Sequence, residues 1–129
     1  MPDTDQPQVC GRRSFLPAAL VPAAVALEPH PGRASAADVE RDLRCTLQAH
    51  GDDDHQAFVL DLDGPDTGAV WASWCDGTVP AQVRVLPPCP AVGGGEPCME
   101  YAGHRGGHSF ELHDPLADRS RAIGGAYGT

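Results

Sequence analysis

Two alternating stretches decide the fold: residues 58–62 read Phe-Val-Leu-Asp-Leu, and residues 70–74 read Val-Trp-Ala-Ser-Trp. Every second residue in each stretch is apolar, which is typical of strands that bury one face. The same period recurs around residues 43–49, 81–85, 99–101 and 110–112. Clusters of Gly, Asp and Pro separate these stretches and mark turns. The sequence therefore predicts an all-β fold, a small antiparallel β-sandwich or barrel of about six strands.

The two tryptophans occupy opposite faces of the strand predicted over residues 70–74. Trp71 and Trp74 are three positions apart, and successive side chains of a strand alternate between its faces. We therefore expect one tryptophan in the core. The other is expected at a sandwich edge, or on a surface that stacks against a ligand.

The N-terminal segment has the features of an export signal. A paired arginine precedes an aromatic residue and a leucine (Arg12, Arg13, Phe15, Leu16), and a weakly apolar run follows over residues 17–27. Ala34 and Ala36 flank Ser35 in the small-x-small pattern that signal peptidase accepts. This arrangement resembles the twin-arginine signal peptides of secreted bacterial proteins. The resemblance implies export across the cytoplasmic membrane and cleavage after Ala36, by either the twin-arginine or the Sec route.

This resemblance divides the chain into three parts. Residues 1–36 are predicted to be the signal peptide, residues 37–116 a secreted β domain, and residues 117–129 a disordered tail. The apolar run over residues 17–27 contains two prolines and is shorter than the about 20 apolar residues of a membrane helix. No stable membrane span is therefore predicted, and Cys10 is expected to leave with the signal.

The charge of the chain is strongly acidic and lies in the predicted secreted part. The net charge is −9, and residues 37–129 carry 15 acidic residues against 6 arginines. Nucleic acids and anionic lipids require basic surfaces, so neither is a predicted partner. The predicted partner is therefore an extracytoplasmic protein or a small ligand, of unknown identity.

Four cysteines remain after cleavage at Ala36, namely Cys45, Cys75, Cys89 and Cys98. An even number of cysteines in a small exported domain predicts two disulfides, with three possible pairings. The loop of Pro and Gly residues between Cys89 and Cys98 favours that pair, which leaves Cys45–Cys75 by elimination. Zinc is the competing use of the four thiols, but the chain has no Cys-x-x-Cys pair and an exported domain is in an oxidising compartment.

Two segments of the chain resemble each other, because each has a cysteine followed by two histidines around a short loop. The segments are Cys45, His50, His55 and Cys98, His104, His108. If each is a β-hairpin, its two histidines face each other with Cβ atoms about 5 Å apart. Such pairs could share a metal ion, and four nitrogen ligands would be available if the hairpin tips met. Solvated tips are the main interpretation, metal binding is the alternative, and no cofactor is predicted.

The sequence shows no arrangement typical of catalysis. Ser73, Ser109 and Ser120 lack the surroundings of a nucleophile, and the cysteines are expected to be oxidised. The chain is therefore predicted to be no enzyme but an exported binding or interaction module. The alternatives are a metal-binding protein that uses the four histidines, and a secreted protease inhibitor that presents residues 99–101 after Cys98.

Overall fold

A computed structural model describes residues 7–51, 54–64 and 67–114. These residues form three separate antiparallel sheets and one short helix, so the all-β class is confirmed, and the sheets do not close into a barrel. The elements are β1 (Arg13–Phe15), α1 (Leu20–Ala26), β2 (Asp42–Arg44), β3 (His55–Asp61), β4 (Ala69–Trp74), β5 (Val83–Leu86), β6 (Val92–Gly93) and β7 (Glu96–Pro97), with 3₁₀ turns at Ala36–Asp38 and Ser109–Glu111. The predicted tail over residues 117–129 lies outside the described ranges.

The central sheet has the order β3-β4-β5, and a bulge in β3 sets which side chains it buries. Phe58 pairs with Trp71, but Leu60 pairs with Val70, so Val59 is an extra residue in the ladder. A bulge shifts the alternation of faces by one residue. Phe58 is consequently exposed while Val59 and Leu60 are both buried. The prediction that Phe58 shares a buried face with Leu60 is wrong for this reason.

Both tryptophans of β4 are buried, with 3% of Trp71 and 4% of Trp74 exposed. Trp74 belongs to the main core. Trp71 lies on the opposite face, where the ring of Tyr101 covers it at a centroid distance of 5.0 Å. The expectation that one tryptophan lies at an edge is therefore wrong, because the segment after β7 packs over the second face.

The N-terminal segment is packed into the same core as the central sheet. Strand β1 pairs with β2, and Leu16 and Ala24 are fully buried. Helix α1 tolerates Pro22 because it lies in the first turn, where its missing N–H has no intrahelical partner. Residue 36 thus does not separate two folded units, although export itself stays a prediction from the sequence. No helix in the described ranges is long and apolar enough to cross a membrane.

Two of the predicted strands have other structures. Tyr101 makes only an isolated bridge with Pro88, and Phe110 lies in the 3₁₀ turn Ser109–Glu111. Between Cys89 and Cys98, where the sequence predicts only a loop, the chain forms the β6–β7 hairpin. Its loop is Gly94-Gly95, both with positive φ (58° and 84°), as a tight two-residue turn between twisted strands requires.

Candidate metal centres

Eight side chains form two groups, each of two cysteines and two histidines. Site 1 consists of Cys10, Cys45, His50 and His55, and site 2 consists of Cys89, Cys98, His104 and His108. Within each site one sulfur or ring-nitrogen atom per residue lies within 4.8 Å of the other three.

Backbone pairing of the N-terminal segment assembles site 1. The N–H of Cys10 donates to the carbonyl of Leu47 at 2.7 Å, and the N–H of Gly11 donates to the carbonyl of Cys45 at 2.9 Å. These bonds extend the β1–β2 ladder and place the Cys10 thiol beside that of Cys45. His55 begins β3 next to them, and its ring packs on Trp74 at a centroid distance of 5.5 Å. Site 1 therefore joins two distant parts of the chain, residue 10 and residues 45–55.

The contacts of site 1 pair each cysteine with one histidine. Cys10 Sγ lies 3.5 Å from His55 Nδ1, and Cys45 Sγ lies 3.8 Å from His50 Nε2. The remaining nitrogen of His55, Nε2, lies 2.6 Å from a carboxylate oxygen of Asp76. A histidine that binds metal commonly donates its other N–H to a carboxylate, which fixes the tautomer and orients the ring. Asp76 is placed for this role.

Burial makes the Cys45 thiol a poor acid unless a cation is nearby. It raises the pKa of this thiol to about 11, while hydrogen bonds from the backbones of Gln56 and Leu47 act in the opposite direction. A divalent cation stabilises a thiolate by direct coordination and removes this penalty. The backbone hydrogen bonds are then in place to stabilise the coordinated sulfur.

Local structure assembles site 2 within residues 89–108. The β6–β7 hairpin returns the chain so that the N–H of Cys98 donates to the carbonyl of Ala91 at 2.9 Å. His108 precedes the 3₁₀ turn Ser109–Glu111, and its N–H donates to the Glu111 carboxylate at 2.8 Å. The hairpin thus returns Cys98 towards Cys89, and the hydrogen bond to Glu111 fixes the backbone at His108.

The contacts of site 2 repeat those of site 1. Cys98 Sγ lies 3.4 Å from His104 Nε2, and Cys89 Sγ lies 3.6 Å from His108 Nδ1. His104 Nδ1 lies 3.1 Å from the carbonyl oxygen of Arg105, and the Ser109 N–H donates to Cys98 Sγ at 3.4 Å. The two sites thus use the same ring atoms. Nε2 of His50 or His104 faces the cysteine that comes second in the chain, Cys45 or Cys98. Nδ1 of His55 or His108 faces the cysteine that comes first, Cys10 or Cys89.

The spacing of these atoms matches tetrahedral coordination of a zinc ion. With Zn–S of about 2.3 Å and Zn–N of about 2.05 Å, a tetrahedral angle separates sulfur from nitrogen by about 3.6 Å. The four measured sulfur–nitrogen distances run from 3.4 to 3.8 Å. The sulfur–nitrogen contacts of both sites are therefore compatible with tetrahedral coordination of one ion.

The structure places the four predicted histidines in pairs. The ring centroids of His50 and His55 are 5.0 Å apart, and those of His104 and His108 are 5.2 Å apart. The pairs do not lie across β-hairpins, because β3 pairs with β4 and residues 98–108 contain no ladder. Only 1% of His55 is exposed, so the expectation of a solvated tip is wrong for that residue.

None of the five cysteines, all of which are described, is in a disulfide. Cys89 and Cys98 lie together in site 2, but as separate thiols. Cys45 lies with Cys10 instead of Cys75, whose side chain is exposed. The favoured Cys45–Cys75 pair is therefore not formed. The physical reason is that β1 and β2 pair, which brings residue 10 to residue 45.

The predicted signal residues have ordinary positions in this fold. Arg13 and Phe15 lie in β1 and Leu16 lies in the core, whereas Arg12 is exposed near Asp76 with a nitrogen–oxygen distance of 3.9 Å. Ala34 packs at the margin of the core, and Ala36 begins a 3₁₀ turn.

Sequence reasoning missed the cysteines as members of these sites, above all Cys10. The repeated order of one cysteine and two histidines contained the signal, because both copies open with a cysteine that is a site residue. Neither site has the Cys-x-x-Cys spacing that is the usual sequence signal of a zinc site. In site 1 the two cysteines are 35 positions apart, and in site 2 they are 9 positions apart.

No protein-family model matches this chain, and no curated protein or solved structure is detectably similar to it.

Proposed function

We propose that this chain is a non-catalytic interaction module whose fold is stabilised by two zinc ions, one in each site. The carrying observation is the pair of Cys₂His₂ groups, each with four ligand atoms within 4.8 Å of one another. Of the earlier alternatives, metal binding is the one that this geometry favours, with two thiolates added to each pair of histidines.

The ligand chemistry selects the metal. Two sulfur and two imidazole ligands in a tetrahedron are typical of Zn²⁺, whereas Mg²⁺ and Ca²⁺ require oxygen ligands. Two thiolates also neutralise the two charges of the ion. This matters at site 1, where Cys45 and His55 are almost completely buried.

The proposed role of both ions is structural. A catalytic zinc keeps one coordination position for water or substrate, and here four protein ligands occupy all the positions of a tetrahedron. Small domains bury too little apolar surface to be comfortably stable without disulfides or metals. Zinc binding supplies about 10–16 kcal/mol of apparent free energy in zinc-finger peptides, as much as the total stability of a small domain.

The proposal requires residues 10–36 to stay attached to the rest of the chain. Cleavage after Ala36 removes Cys10 and leaves site 1 with three ligands. Export with cleavage and a complete site 1 therefore exclude each other. The proposed module works with its N-terminal segment in place.

The metal content of the purified full chain tests this proposal. We expect inductively coupled plasma mass spectrometry to find two zinc ions per chain, and one after either Cys45→Ser or Cys98→Ser. Cys75→Ser is the matched control, because it removes the cysteine that belongs to neither site, and it should keep both ions. His30→Ala serves the same purpose for the histidines. Absence of zinc from protein that was produced and purified with zinc present would contradict the proposal.

A further inference from the structure

A groove on the face of the central sheet that Tyr101 partly covers contains a buried carboxylate. Two adjoining cavities share the side chains of Phe58, Trp71, Met99 and Glu100. One cavity continues towards Phe110 and Leu112, and the other continues towards Leu86 and Pro88. The groove thus extends to both sides of Glu100, as a site for an extended chain requires.

The carboxylate of Glu100 has an unused hydrogen-bonding position. Only 3% of this residue is exposed, and the Thr46 side chain hydrogen-bonds its carboxyl group. The other oxygen, Oε1, has no hydrogen-bond partner among the described residues. A buried polar atom without a hydrogen-bond partner is uncommon in folded proteins, because nothing offsets the cost of removing it from water. A bound donor would remove this cost.

The walls of the groove favour a cation. The exposed ring of Phe58 meets the buried ring of Trp71 edge to face at 6.2 Å, and an exposed aromatic ring attracts cationic groups. Glu96 and Asp61 add negative charge at the two ends, while Asp114 is paired with Arg44. His113 is the only described lining residue that can carry a positive charge. The net charge of −9 attracts a basic partner from a distance.

We propose that this groove binds a lysine side chain in an extended basic segment of a partner protein. The lysine ammonium donates to Glu100 Oε1, and its alkyl stem lies against the exposed ring of Phe58. One available oxygen suits an ammonium, because a guanidinium binds a carboxylate best through both oxygens. The chain itself contains no lysine, so a second copy cannot supply the group.

This inference gives a partner chemistry to the proposed interaction module but does not depend on zinc. Its test is fluorescence anisotropy with the full chain and the labelled peptide Ser-Gly-Lys-Gly-Ser, with acetyl and amide ends, at low salt. Peptides with Nε-acetyl-lysine or with arginine at the centre are the comparisons. We expect binding of the lysine peptide, weaker binding of the arginine peptide and loss of binding after acetylation.

Three variants test whether the lysine peptide binds in the groove. Glu100→Gln should weaken binding about tenfold or more, because the amide oxygen of glutamine still accepts a hydrogen bond but has no negative charge to attract the ammonium. Glu40→Gln makes the same charge change at an exposed position outside the groove and should change binding less than about twofold. Phe58→Ala, at a partly exposed residue, should weaken it about two- to fivefold.

Zinc content, measured on every variant, separates this inference from the proposed function. A Glu100→Gln protein that holds two zinc ions and binds the peptide as tightly as the parent chain overturns the inference but leaves the zinc sites intact. Absence of lysine-peptide binding by the zinc-loaded parent, or equal binding of the acetylated peptide, overturns it as well. If Glu100→Gln does not fold, Phe58→Ala takes its place. A Phe58→Ala protein that holds two zinc ions and binds the peptide as tightly as the parent chain then overturns the inference.

Discussion

The two sites have the same ligands and the same pairing of atoms, yet they are built in different ways. Site 1 joins residue 10 to residues 45–55, and its Cys45 and His55 are almost completely buried in the main core. Site 2 lies within residues 89–108, and three of its four residues are only partly buried. The comparison teaches that the same four residue types can connect distant parts of a fold or organise a local segment, depending on the length of chain between them.

Removal of residues 1–36 should have the largest effect, because it destroys site 1 and leaves the residues of site 2 in place. The remaining chain, which is the product of the predicted cleavage after Ala36, lacks Cys10, β1 and the buried Leu16 and Ala24. We expect one zinc ion per chain, bound at site 2, and loss of cooperative thermal unfolding as measured by circular dichroism. Two zinc ions and an unchanged melting temperature would show that site 1 does not need the N-terminal segment.

Single cysteine substitutions should separate the sites by their effects on stability. Cys45→Ser removes a fully buried residue of site 1 and the main core, so we expect the central sheet to unfold in the conditions where the parent is folded, while the local site 2 keeps its ion. Cys98→Ser should lower the melting temperature but leave the central sheet folded, because site 2 spans a local segment. Hydrogen exchange of β3 and β4 measures this difference, with Cys75→Ser as the control. Equal loss of protection in the two variants would contradict the distinction.

Asp76 should strengthen site 1 alone. Its carboxylate lies 2.6 Å from His55 Nε2, and loss of such a contact typically lowers metal affinity about 10- to 100-fold. We expect Asp76→Asn to weaken zinc binding at site 1 by about tenfold, with site 2 unchanged. A titration against a chromophoric chelator resolves the two affinities. Asp63→Asn is the control, since Asp63 is similarly exposed and contacts His30 instead. A loss of zinc affinity of equal size at both sites would show that Asp76 does not act through His55.

The pH dependence of site 1 tests the protonation of Cys45 without any substitution at that site. Since burial raises the pKa of Cys45 to about 11, this thiol is protonated at neutral pH without metal and must release its proton to bind zinc. The apparent zinc affinity should therefore fall about tenfold per pH unit for each proton taken up as the pH decreases from 8 to 6. The Cys98→Ser variant, with only site 1 complete, allows this measurement. An affinity independent of pH would show that Cys45 is not a ligand.

The sequence by itself determined the central sheet and the pairing of the histidines. Alternation over residues 58–62 and 70–74 predicts β3 and β4 because burial of one face imposes a period of two. The repeated order of cysteine and two histidines singled out the four histidines of the two sites, whereas the cysteines were predicted to form disulfides. Short apolar stretches were less informative: residues 110–112 alternate, yet two apolar residues suit a 3₁₀ turn equally well.

Only the tertiary structure decided what the cysteines do and where the N-terminal segment lies. Cys10 reaches Cys45 because backbone hydrogen bonds join residues far apart in the chain, and no local pattern records such pairing. The bulge at Val59 exposed Phe58, and the segment after β7 covered Trp71, which together formed the groove at Glu100. Local periodicity reports which faces of a strand are apolar, whereas packing between distant segments decides which of those faces is covered and which thiols meet.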